Sequence, residues 1–148
     1  MRKIFFFAAA LAVFSCGEDR TVGDDAEACA RMFGESYFNF RLHRALDLCT
    51  PESERWVRLL ASNLTQDDLD LYNAQAGPAR VQVEGLTFTS DTTAEALLSV
   101  ADFVQLGAIG RPASVVSEGQ VSLRLVRRQG EWLVRMEGPL RSERQSRD

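Results

Sequence analysis

The spacing of apolar residues changes abruptly at Gly77-Pro78, and this change constrains the fold more than any other feature of the chain. Before Pro78, apolar side chains recur every three or four residues, as on the buried face of an amphipathic helix. After it, apolar and polar residues alternate, most clearly at Val121, Leu123 and Leu125, which is typical of a half-buried strand. Helices followed by antiparallel strands predict a single α+β domain.

Four helices are predicted before the break. They span residues 25–40, residues 41–49, the segment opened by Thr50-Pro51-Glu52, and the segment opened by Thr65-Gln66-Asp67-Asp68. Proline at a first helical position and an acid three residues after a threonine are both signals of a helix start. The apolar positions of the third helix expected to face the core are Trp56, Leu59 and Leu60.

The second half of the chain predicts an antiparallel meander. Strands are expected over residues 81–89, residues 92–104, a segment around Val121 and residues 132–136. Three glycines and a proline in residues 105–119 predict a long connection. Arg128-Gln129-Gly130-Glu131 reads as a tight turn, and the hairpin that it closes places Trp132 against the core.

These features together resemble a known superfamily over about residues 25–138. The long aromatic first helix, the Ala45-Leu46-Asp47-Leu48-Cys49 helix and the closing hairpin with its G-x-W sequence are similar to small bacterial lipoproteins of the nuclear-transport-factor-two-like superfamily. The resemblance implies a cone in which a curved antiparallel sheet wraps around N-terminal helices. The superfamily includes ketosteroid isomerases and dehydratases, which place catalysis in the mouth of the cone, and many members with no known activity.

The N-terminus has the organisation of an export signal. Arg2 and Lys3 precede an apolar run of 11 residues, which is too short to span a bilayer as a helix, since that requires about 20. The sequence ending in Ser15-Cys16-Gly17 resembles a bacterial lipobox, which implies that Cys16 carries the lipid and becomes the first mature residue. An ordinary secretory signal is the alternative interpretation.

The predicted organisation follows from that signal. Residues 1–15 form the lipoprotein signal peptide, residues 16–24 a lipidated tether, residues 25–140 the cone domain and residues 141–148 a polar tail. We expect a cell-envelope protein held in a membrane by its lipid. The acidic residues after Cys16 resemble signals that send some Gram-negative lipoproteins to the cell exterior. We expect the outer membrane, with its surface and its periplasmic face both left open.

Charge and composition restrict the partners. The chain has 17 basic and 21 acidic residues, and loss of Arg2 and Lys3 with the signal peptide makes it more acidic still. Nucleic acid, which requires a basic surface, is therefore not an expected partner. An envelope protein or a small ligand is expected instead, and a homodimer through the sheet is left open.

The two remaining cysteines, Cys29 and Cys49, have two interpretations. If Cys16 is lipidated, an oxidising compartment allows Cys29 and Cys49 to form a disulfide. Two buried free thiols on helices are the alternative.

Few residues can support catalysis. Lys3 is the only lysine and His43 the only histidine, so lysine-based mechanisms and histidine-rich metal sites are not expected in the mature chain. No G-x-S-x-G elbow or phosphate-binding glycine loop is present in the sequence. We expect no cofactor and no metal.

The isomerase pattern of the superfamily combines a tyrosine, a protonated acid and a carboxylate base. Tyr37, Asp47 and Asp102 supply those residue types, although no spacing in the sequence makes them converge. Alternatively, the tyrosine packs in the core and the two acids are exposed to solvent. His43 is a further candidate base, or a solvated histidine on a helix.

Two other groups of residues suggest ligand binding. Phe88 and Phe103 either belong to the core or line an apolar pocket. Five arginines form either an anion-binding group or a solvated face: Arg124, Arg127, Arg128, Arg135 and Arg141. The sequence favours a non-catalytic binding lipoprotein, with a small acid–base enzyme of the isomerase or dehydratase type as the alternative.

Overall fold

The computed structural model describes residues 22–142, in which four α-helices precede four strands. The elements are α1 (Val22–Phe38), α2 (Leu42–Asp47), α3 (Glu54–Asn63), α4 (Gln66–Asn73), β1 (Arg80–Ser90), β2 (Thr93–Gln105), β3 (Ser114–Arg128) and β4 (Glu131–Arg135). A short 3₁₀ turn at Pro51–Ser53 leads into α3. The order of elements confirms the predicted α+β class.

Several predictions concern residues outside this range. The signal peptide, Cys16, most of the tether and residues 143–148 of the polar tail lie outside the described residues. Within it, α1 begins at Val22, inside the predicted tether, and Ser142 of the predicted tail is buried. Between residues 22 and 142, no helix is both long and apolar enough to cross a membrane.

The strands form one curved antiparallel sheet in the order β1-β2-β3-β4, and α1 packs against it. Alternate residues of β2 and β3 face the helix, and Leu98 and Leu123 are among the most deeply buried. The helix approaches the sheet closely at Gly34. A Cβ atom there would lie 2.9 Å from both a Leu98 and a Val81 methyl carbon, so glycine permits this contact.

The C-terminal end of α1 closes with a Schellman motif. The Arg41 N–H donates to the Ser36 carbonyl at 2.8 Å, and the Phe40 N–H donates to the Tyr37 carbonyl at 3.3 Å. Phe40 takes the left-handed conformation that this motif requires, with φ 55°. The motif therefore ends α1 beside the cavity described below, which Tyr37, Phe38 and Phe40 line.

Asn39, at the same end of α1, holds three elements together. Its Nδ2 donates to the Glu35 carbonyl at 2.8 Å and to the Ala79 carbonyl at 3.1 Å. Its Oδ1 accepts from the Ala79 N–H at 2.8 Å and from the Tyr72 hydroxyl at 3.0 Å. Because Asn39 and Ala79 are both buried, these bonds fix the start of β1 and the end of α4 relative to α1.

Two buried hydroxyls attach the 3₁₀ turn to the last strand. Thr50 Oγ1 and Ser53 Oγ are 2.7 Å apart, and Ser53 Oγ accepts from the Met136 N–H at 2.8 Å. The backbone of Thr50 also donates to the Val134 carbonyl at 2.9 Å. These bonds set the point from which residues 137–141 continue past the end of α1.

The second half of the chain confirms the meander and corrects one boundary. β3 begins at Ser114, so the connection after β2 covers only residues 106–113 and is shorter than predicted. The predicted turn joins β3 and β4, with Gln129 and Gly130 both at positive φ, as a two-residue hairpin turn of the primed type requires. Trp132 is buried, as predicted.

The predicted core face of the third helix is partly wrong. Trp56 and Leu60 are half-buried and pack against the core as predicted, whereas Leu59 is 40% exposed. Val57, which was not among the predicted positions, is completely buried. The physical reason is that Leu59 lines the cavity described below instead of packing into the core.

Candidate functional site

A cavity of about 140 Å³ lies beyond the C-terminal end of α1. Its walls come from α1, α3, the end of β2 and two segments without regular structure, residues 106–107 and 139–141. Most of the side chains that line it are apolar: Phe38, Phe40, Leu59, Leu60, Phe103, Val104, Leu106, Pro139 and Leu140. Its polar lining residues are Tyr37, Asn63, Gln105 and Arg141.

Tyr37 is the candidate catalytic residue that the structure does place at the cavity. It is 5% exposed and lies between two aromatic rings, Phe33 at 5.7 Å and Phe38 at 5.3 Å between centroids. Burial raises the pKa of its phenol to about 12, against smaller opposite effects of a backbone hydrogen bond from Leu140 and the charge of Arg141. The hydroxyl is therefore protonated at neutral pH.

The other polar groups differ in their exposure. Gln105 Oε1 is buried and has no hydrogen-bond partner among the described residues. Arg141 is exposed, so its guanidinium lies at the rim. No aspartate, glutamate or histidine from residues 22–142 lines this cavity. The described residues of the site therefore offer hydrogen-bond donors and a positive charge, and none of them supplies a carboxylate or an imidazole.

Asp102 does not reach the cavity because β2 is distorted at this residue. Asp102 has φ 56°, and the alternation of buried residues shifts by one position, so that Phe103 faces inward. The Asp102 carboxylate instead pairs with Arg80 at 2.9 Å, and half of its side chain is exposed. It is thus turned away from Tyr37.

Asp47 and His43 also lie elsewhere. Both belong to α2 and both are exposed, and neither lines the cavity. Of the three candidates Tyr37, Asp47 and Asp102, the structure therefore brings only Tyr37 to the site and assembles no tyrosine–carboxylate pair there.

The two phenylalanines proposed as pocket residues lie in different parts of the structure. Phe103 is 1% exposed and lines the cavity, with its ring 5.1 Å from that of Phe38. Phe88 is 44% exposed on β1 and packs edge-on against Trp132 at 5.7 Å. Only Phe103 contributes to the site.

The five arginines also lie in different parts of the structure and do not form one group. Arg124 pairs with Glu137 at 2.7 Å, and Arg128 pairs with Glu52 at 2.9 Å. These two arginines are surface groups with carboxylate partners, and Arg127 and Arg135 are exposed on the last two strands. Only Arg141 of the five lines the cavity.

Cys29 and Cys49 are buried free thiols in the structure, which is the second of the two interpretations given above. Cys29 Sγ donates to the Trp132 carbonyl at 3.2 Å, and Cys49 Sγ donates to the Leu46 carbonyl at 3.5 Å. Burial raises the pKa of Cys29 to about 12 and that of Cys49 to about 11. Neither thiol lines the cavity.

Sequence reasoning missed the wall formed by residues 106–107 and 139–141. Gly107 gave the one local signal. A Cβ atom there would collide with the carbonyl oxygens of Arg111 and Pro112, so this turn requires glycine. Leu140 and Arg141 gave none, because they follow the last strand and reach the cavity only through the fold.

The fold is similar to that of a crystal structure of an NTF-2-like protein of unknown function from Shewanella oneidensis MR-1. The similarity covers 77% of this chain and 94% of that chain, with a TM-score of 0.53 and 11% sequence identity. No family model and no curated protein sequence matches this chain. The similarity shows the nuclear-transport-factor-two-like fold of a single domain.

Proposed function

We propose that this protein is a lipid-anchored envelope protein whose domain binds a small, largely apolar ligand in the cavity at the end of α1, without catalysis. The observation that carries the binding role is the cavity itself, with its lining of phenylalanine, leucine and valine around a few polar groups. Sites for small molecules have this composition.

The composition of the lining also favours binding over acid–base catalysis. Proton transfer requires a group that accepts a proton near neutral pH, within hydrogen-bond reach of the ligand. Tyr37 is the titratable group deepest in the wall, and its pKa of about 12 makes it a hydrogen-bond donor rather than a base. The Arg141 guanidinium offers only hydrogen-bond donors and no acceptor.

Fluorine NMR with fluorobenzene tests the binding role. The purified full chain in detergent micelles should broaden or shift the fluorine signal, since a cavity of about 140 Å³ is close to the roughly 150 Å³ that accommodates benzene in an engineered apolar cavity. Leu60→Trp, which fills the cavity, should abolish the effect. Leu97→Trp is the matched control, because Leu97 is half-buried on β2 and does not line the cavity. Equal binding by both variants would place the probe elsewhere.

An enzyme of the isomerase or dehydratase type is the second candidate, and the position of Tyr37 in the cavity wall is the observation in its favour. Such an enzyme would need its carboxylate base from outside residues 22–142 or from the substrate. If the protein turns over an enolisable ketone and Tyr37→Phe abolishes that turnover, the enzyme proposal replaces the binding proposal.

The anchoring part of the proposal is supported by the sequence up to Cys16. Mass spectrometry of membrane-extracted protein should find a diacylglyceryl group on an N-terminal Cys16. Cys16→Ser should release the protein from the membrane fraction. A mature N-terminus at another residue in the native protein would refute the anchor while leaving the cavity proposal intact.

A further inference from the structure

We infer that the ligand of the cavity is a small monocarboxylate, whose apolar part lies against Phe103 and Leu60 and whose carboxylate meets Arg141 at the rim. This inference rests on the proposed function, since it assigns a chemical class to the ligand of that same cavity. Three properties of the lining carry it: its charge, its hydrogen-bond donors and its size.

The charge of the lining, as far as residues 22–142 form it, is positive. Every salt bridge within residues 22–142 lies elsewhere: Arg58–Glu54, Arg80–Asp102, Arg124–Glu137 and Arg128–Glu52. Arg141 takes part in none of them, and no described carboxylate lines the cavity. A guanidinium at the rim of an apolar cavity selects an anion, and its planar arrangement of N–H groups matches both oxygens of a carboxylate.

The neighbouring polar groups favour the same ligand. Tyr37 lies close enough to Arg141 for its titration to be affected by the guanidinium, and its protonated hydroxyl can donate to an anion. The buried oxygen of the Gln105 amide has no hydrogen-bond partner among the described residues. Rotation of that amide presents its NH₂ group, a donor, at the same place. An anionic ligand therefore finds donors in the lining and no carboxylate from residues 22–142.

The size of the cavity limits the rest of the ligand. At about 140 Å³, it accommodates a body the size of a benzene ring or a short alkyl chain. Pockets for drug-sized molecules occupy about 300–1,000 Å³, so a steroid or a long-chain fatty acid exceeds this one. Arg141 is exposed while Phe103 is 1% exposed, which orients the carboxylate outward and the apolar body inward.

A pair of probes of the same shape tests the inference. We would measure the dissociation constants of 4-fluorobenzoate and 4-fluorobenzyl alcohol by fluorine NMR, with the full chain in detergent at neutral pH. The wild-type protein should bind the carboxylate more tightly than the alcohol. Arg141→Gln should weaken carboxylate binding by roughly 10- to 100-fold, the usual effect of losing a charged hydrogen-bonded partner, and should change alcohol binding by less than about twofold.

Arg135→Gln is the matched control, because Arg135 is an exposed arginine on β4 outside the cavity lining. It should leave both dissociation constants unchanged, and the thermal midpoints of both variants should equal that of the wild type. The inference is overturned if the alcohol binds as tightly as the carboxylate, or if Arg141→Gln and Arg135→Gln have the same effect. Failure of fluorobenzene, the alcohol and the acid alike would instead refute the proposed function.

Discussion

Replacing Asn39 by alanine should destabilise the domain far more than the loss of one side chain suggests. The substitution removes four hydrogen bonds, two of them to the backbone of Ala79. Ala79 is 4% exposed and precedes β1, so neither the sheet nor water can satisfy its N–H and C=O groups in the variant. The carbonyl of Glu35 lies within α1 and keeps its place in the helical ladder.

The magnitude follows from those two orphaned groups. An unsatisfied buried polar group costs about 1–3 kcal/mol, so Asn39→Ala should lower the free energy of unfolding by about 2–6 kcal/mol. Tyr72→Phe is a milder variant for comparison, because it affects only one of the four hydrogen bonds of Asn39. It removes one bond to Asn39 Oδ1, which still accepts from the Ala79 N–H, and it keeps the aromatic packing on Phe40. Its cost should be about 0.5–1.5 kcal/mol, the ordinary net value of one hydrogen bond.

Urea denaturation followed by circular dichroism measures both values. The slope of the unfolding free energy against urea should be the same for the variants and the wild type, because the surface exposed on unfolding is unchanged. An Asn39→Ala protein that loses no more stability than Tyr72→Phe would refute the reasoning. It would mean that the Ala79 backbone finds other partners and that Asn39 does not fix the start of β1.

Three further predictions concern titration. Because burial raises the pKa of Tyr37 to about 12, ultraviolet titration of the folded protein should find one tyrosine protonated at pH 11, and Tyr37→Phe should remove this late component. Cys29 and Cys49 should resist iodoacetamide at pH 8 until the protein unfolds, because burial keeps both as thiols. Rapid labelling of either cysteine in the folded protein would contradict this prediction. The hydrogen bond from Arg128 lowers the pKa of Glu52 from 4.5 to about 2, so this pair should stabilise the fold above about pH 4.5 and lose its effect as the pH falls toward 2. Carboxyl NMR should find the Glu52 pKa restored in Arg128→Gln.

The sequence predicted the features that depend on neighbouring residues. Thr65 and Asp68 form the capping box with both reciprocal bonds present, since its geometry needs only four consecutive residues. The turn at Gln129-Gly130 was predictable for the same reason. The change of period at Pro78 predicted the α+β class, because a helical pattern followed by an alternating pattern indicates a helical layer packed on a sheet.

The phase of an element was harder to predict than its type. Val57 packs into the core while Leu59 lines the cavity, and the apolar pattern of α3 does not distinguish these two environments. The start of β3 at Ser114 was missed because Gly119 reads as a loop residue. In the structure Gly119 is buried within the strand, where a Cβ atom would meet the Ser142 side chain and the Phe103 ring.

Asp102 shows why the candidate site itself could not be read from the sequence. Along β2, Ala96, Leu98 and Val100 face the core, so regular alternation would place Asp102 inward, near Tyr37. The left-handed conformation at Asp102 reverses the alternation, and aspartate tolerates it better than most residues. Buried among the apolar side chains of the lining, a carboxylate would lose its solvation, whereas outside it pairs with Arg80. The same distortion brings Phe103 inward, where its ring adds to the apolar lining of the cavity.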